Sequence, residues 1–61
     1  MKTITIKAHQ IIEGDLLQNG MHFDRVDDVS HGALDNQIKV RCNDDTSTRF
    51  FNCSDIVRVR R

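Results

Sequence analysis

The chain has no proline, no tryptophan and no tyrosine, and its apolar residues never gather into a long run. No stretch is therefore long enough for a membrane-spanning helix, and none has the apolar heart of a secretory signal. With no proline, low-complexity tract or internal repeat there is no candidate linker, and residues 1–61 read as one domain. Three phenylalanines are the whole aromatic complement and most of them are needed for the core, so the stacking platforms of a single-strand nucleic-acid reader are nearly absent. Charge of one sign is lacking too. Nine bases balance nine acids, which excludes an indiscriminate polyanion binder of the histone type.

Cysteine is scarce. Cys42 and Cys53 are too few for a disulfide framework, and no secretory segment precedes them. The chain reads as cytoplasmic, where thiols stay reduced. Structural zinc sites draw on ligand pairs about two to four residues apart, whereas His9, His22, His31, Cys42 and Cys53 are all widely spaced. No metal and no cofactor is expected. The string Cys53-Ser54-Asp55 has the residue types of a nucleophilic site, but neighbours on a strand face opposite sides of the sheet. A core this small leaves little room for a catalytic cleft, and the chain reads as non-enzymatic.

What is present is a period of two. Ile4, Ile6 and Ala8 alternate with Thr3, Thr5 and Lys7; Ile38, Val40 and Cys42 alternate with Lys39 and Arg41; Val57 and Val59 alternate with Arg58 and Arg60. Such alternation predicts half-buried strands. Glu13-Gly14-Asp15 breaks the chain after Ile12. Asn19-Gly20 predicts a tight hairpin between Asp15–Gln18 and Met21–Val29, because both residues accept the positive φ of a primed turn. In the second of these strands the alternation slips after Phe23, which predicts a bulge near Asp24–Arg25. Residues 30–36 and 43–47 read as loops, and Ala8–Ile12 as a short helical turn at most. The expected fold is all-β: five or six short strands in one strongly bent antiparallel sheet or barrel, which buries the apolar face and protects the edges.

Alternation assigns Ile4, Ile6, Ile11, Leu16, Phe23, Val26, Val29, Ile38, Val40, Phe51, Val57 and Val59 to the core. Leu17, Phe50 and Ile56 are left over as an exposed apolar patch. A chain this short buries only roughly 60% of its unfolded surface, so a homodimer or a seat on a partner is expected.

Ile11-Ile12-Glu13-Gly14-Asp15-Leu16-Leu17, then Asn19-Gly20, then Val26-Asp27-Asp28-Val29, resembles the opening of Src-homology-3-like small barrels. KOW-type barrels share this outline, as do small proteins encoded by bacteriophages and prophages. The resemblance implies the barrel fold and a phage or mobile-element accessory protein that works by binding.

The charges are sorted along the chain. Acids gather at the expected turns and bases inside the expected strands. Lys39 and Arg41 share one side of a strand, Arg58 and Arg60 one side of another, and Arg49 lies between them if residues 48–53 pair with both. Together these five form a candidate phosphate-holding face for nucleic acid or a nucleoprotein, since the guanidinium fork suits phosphate; Arg61 would extend the stripe. The alternative working surface is the acidic set Asp24, Asp27, Asp28, Asp44 and Asp45, engaging a basic patch on a host protein as an inhibitor would.

Overall fold

The computed structural model describes residues 2–61. Six strands, β1 (Thr3–Lys7), β2 (Leu16–Asn19), β3 (His22–His31), β4 (Gln37–Cys42), β5 (Ser47–Asn52) and β6 (Ile56–Arg60), form one antiparallel sheet in the order β1-β6-β2-β3-β4-β5. A 3₁₀ turn at Ala8–Gln10 is the one helical element among the described residues. The all-β, strongly bent sheet expected from the alternation is the fold observed.

β3 makes the bend. Its first half pairs with β2 and its second with β4, and the register shifts between Val26 and Asp28. A bulge kinks its strand and increases its twist, so the sheet turns back over its own inner face. The 3₁₀ turn secures the far side. Ala8 N donates to Asp55 O (2.8 Å) and His9 N to Cys53 O (3.2 Å), tying the end of β1 to the β5–β6 connection.

The bulge lies two to three residues later than the sequence predicts, and the hairpin is displaced as well. Asn19 ends β2 paired with His22, so the two-residue loop is Gly20-Met21. Gly20 has φ +61° while Met21 keeps a negative φ, the pattern of a type II′ turn with glycine first. Each β2 residue is thereby paired two positions further along β3, so Leu16 and Phe23 still share one side and Leu17 and Asp24 the other; it is the Leu17 side that faces the core. Leu17, expected at the surface, is fully buried, whereas Leu16 is half-buried on the outer face. Phe23 follows Leu16 outward and is also only half-buried.

The core consists of Ala8, Ile11, Leu17, Val26, Ile38, Val40, Cys42, Val57 and Val59, with Ile4, Ile6, Val29, Phe51 and Cys53 packed against it. Every strand contributes to one cluster. Both cysteines are free thiols; burial, reinforced by the nearby Asp24 charge, pushes the Cys42 thiol up and keeps it protonated. Among the described residues no helix is long and apolar enough to cross a membrane.

Candidate functional site

The outer side of the β1-β6-β2-β3 half follows from its register. Thr3 lies opposite Arg60, Arg60 opposite Leu16, and Leu16 opposite Arg25; Thr5 lies opposite Arg58 and Lys7 opposite Ile56. Directly opposed residues share a face. This face therefore carries Lys7, Arg58 and Arg60, and no position of β1 or β6 on this side holds an acid; Arg25, at its β3 border, is tied to Asp27 and Asp44. The Arg60 guanidinium carbon sits 4.0 Å from the Phe23 ring centroid, and Nε donates to Thr3 Oγ1 at 3.2 Å. Stacked on the ring and anchored at one nitrogen, Arg60 keeps its remaining donors for a ligand. Arg58 is exposed two residues away on the same face, about 7 Å along the strand.

The other predicted bases do not join this row. β5 pairs with β4 alone, so it cannot bridge β4 to β6, and β2 and β3 separate Lys39 and Arg41 from Arg58 and Arg60. Arg49 is opposite Val40 and hence on the inner side. Its guanidinium lies 4.9 Å from the Phe51 centroid and donates to Gln18 O at 3.1 Å, so it acts as a strut across the bent sheet. Arg41 is held by Asp28 at 3.0 Å and Asp45 at 3.4 Å. Arg61 is clamped to Asp15 and extends no stripe. The five-residue basic patch is thus two separate pairs and an internal strut. Sequence reasoning missed Lys7, Phe23 and Thr3, although their period-two spacing marks them once β1 is placed beside β6.

The acidic residues, by contrast, are brought together. Asn43, Asp44 and Asp45 in the β4–β5 turn have φ of 54°, 56° and 68°, three consecutive left-handed residues without a glycine. Each such residue costs roughly 1–2 kcal/mol, and β3 supplies the compensation. Arg25 N donates to Asn43 Oδ1 (3.1 Å), Asn43 Nδ2 to Asp24 Oδ1 (3.0 Å) and Asp45 N to Asp27 Oδ2 (3.2 Å), while Arg25 Nη2 bridges Asp27 and Asp44. Asp24 is held below the usual carboxylate range, first by the Asn43 amide and then by Asn19, against desolvation. Desolvation raises Asp27, but hydrogen bonds from the main chain of Asp45 and Asp44 and from Arg25 outweigh it and leave the group lowered. Asp28 joins the same edge through Arg41. Five carboxylates and two guanidinium groups leave this edge negative.

A shallow cleft of about 200 Å³ lies between Glu13-Gly14 and Arg25-Val26-Asp27. Among the described residues no three His, Cys, Asp or Glu side chains converge as metal ligands. The molecule is a net-neutral body with a cationic face on β1 and β6 and an anionic edge at β3 and the β4–β5 turn. No family profile, curated protein or solved structure matches the chain.

Proposed function

We propose that the chain is a non-enzymatic binding module that holds nucleic acid, free or within a nucleoprotein, on the outer face of β1 and β6. Arg58 and Arg60 take phosphate oxygens and Lys7 adds a third positive charge. The observation that carries this reading is the acid-free cationic row on a protein of zero net charge. Phe23 is covered by Arg60 and offers no open ring, so the contact is to the backbone and carries little base preference.

The test is fluorescence anisotropy with generic duplex and single-stranded DNA over a salt series. Three phosphate contacts give a slope of about −2.7 in log affinity against log salt for duplex, or about a 40-fold loss between about 50 and 200 mM. Arg58→Glu with Arg60→Glu should abolish binding without moving the melting temperature by more than a few degrees. Salt-independent binding, or double-variant binding equal to that of the unsubstituted chain, excludes the reading.

A second reading is supported by the gathering of Asp24, Asp27, Asp28, Asp44 and Asp45 at one edge. Held on a strained and well-bonded turn, they offer a fixed negative surface to a basic patch on a host protein. Asp44→Lys with Asp45→Lys would remove such a partner and leave DNA binding intact.

A further inference from the structure

The sheet has two open edges, and they differ. Along an antiparallel strand the main-chain groups point alternately to either side. Cys53 N donates to Asn36 O (2.7 Å) and Gly32 N to Gln37 O (2.9 Å). With the β4–β5 register, these bonds turn Ser47, Arg49 and Phe51 toward β4 and leave Thr48, Phe50 and Asn52 facing outward. Asn52 is occupied: its N–H donates to Asp55 Oδ2 (2.9 Å) and its carbonyl accepts from Asp55 N (3.0 Å). Among the described residues nothing bonds the outward amide and carbonyl groups of Thr48 and Phe50, and both residues are exposed.

β1 has the same geometry at Thr3 and Thr5, but Lys2 and Lys7 bracket it, and charges of this kind discourage strand addition. β5 has no lysine, no proline and no bulge against β4. It also presents Phe50, which is 55% exposed. An unguarded edge beside an exposed ring is the form that strand-addition sites take.

Charge selects the occupant. Of the bases on β4 and β5, Arg41 is taken by Asp28 and Asp45 and Arg49 lies on the inner side; Lys39, directly opposite Phe50, is the one left for a ligand among the described residues. A second copy has unsuitable edges to offer. Its β5, paired through Thr48 and Phe50, would set Arg49 against Arg49; its β1 is flanked by lysines. The acid-rich strand β3 has both sides taken, by β2 and β4. We infer that the β5 edge receives an extended acidic segment of another protein, paired with the main chain at Thr48 and Phe50. An apolar side chain of that segment lies over the Phe50 ring, and its carboxylates are drawn by Lys39.

The probe is a synthetic peptide of alternating valine and glutamate, with a valine–lysine peptide as control, and the readout is amide hydrogen exchange resolved by residue. The acidic peptide is expected to slow exchange at Thr48 and Phe50 by about tenfold or more, and the lysine peptide to leave it unchanged. Phe50→Pro removes an outward N–H that the β4 ladder does not use, so it should abolish the protection at Thr48. Lys39→Glu touches no main-chain bond; it should weaken the acidic peptide about tenfold and admit the lysine peptide. Arg58→Glu, on the proposed nucleic-acid face, should change nothing here. Four results overturn the inference: no protection at millimolar peptide, equal protection by both peptides, protection at Thr3 and Thr5 instead, or protection of Thr48 and Phe50 that grows with protein concentration when no peptide is present.

Discussion

Arg61 closes a two-point fork on Asp15: Nε donates to Oδ1 at 2.8 Å and Nη2 to Oδ2 at 3.1 Å. Nη2 also reaches Gln10 O at 2.8 Å, and Asp15 Oδ2 accepts from Ile12 N at 3.0 Å. Asp15 is 2% exposed, the one buried charged residue among those described. Its carboxylate thus joins the turn before β2 to the residue after β6 and holds the Arg61 guanidinium firmly protonated. The fork needs arginine, because an ammonium group presents no parallel pair of donors.

Arg61→Ala should lower stability, because it strands a buried carboxylate. The loss should be smaller than that of a fully buried pair, because Arg61 is itself 38% exposed and partly screened. Arg61→Lys should recover less than half of the loss. Urea denaturation measures both, and a midpoint unchanged by Arg61→Ala would show the clamp to be dispensable.

Leu17→Ala should cost about 3 kcal/mol, the usual range for a leucine removed from a closed core. Leu16→Ala, one residue away on the half-buried outer face, should cost about 1 kcal/mol or less. Equal losses would mean that β2 is registered differently against β3.

Acid should loosen the β4–β5 turn through Asp24 and Asp27. Both carboxyls are lower in the folded protein than in the unfolded chain. Their contribution is therefore complete above about pH 4 and is lost as pH falls through the folded values. Urea midpoints measured from neutral pH downward should drop most steeply below pH 4, and Asp24→Asn with Asp27→Asn should flatten that drop. A parallel curve for the double variant would contradict the assignment.

Two turn substitutions should act in opposite directions. Gly20→Ala meets open space, yet it forces a side chain onto φ +61°, a loss of about 1 kcal/mol. Asp44→Gly relieves a left-handed residue and gives up only an ion pair in which Asp44 is 88% exposed. It should gain about 0.5 kcal/mol or more. Thermal melts of the two variants provide the check.

The sequence by itself determined the class of structure and its strands. Thr3–Lys7, Gln37–Cys42 and the valines of β6 alternate so regularly that only a pleated, half-buried strand satisfies them, and the absence of proline leaves their ladders free to form. Local chemistry does not say which strands become neighbours. β6 enters between β1 and β2 through pairings as long as Thr3 with Arg60, and that insertion separates Arg58 and Arg60 from Lys39 and Arg41. The direction of Arg49 was equally hidden, since a strand's inner face is defined only by what folds over it. Leu17 rather than Leu16 lies in the core because the bent sheet closes over the side of β2 that carries Leu17, which two adjacent leucines do not reveal in sequence. Which strands form was written in residue alternation; which charges meet was decided by packing of the whole chain, because those contacts join residues far apart in sequence.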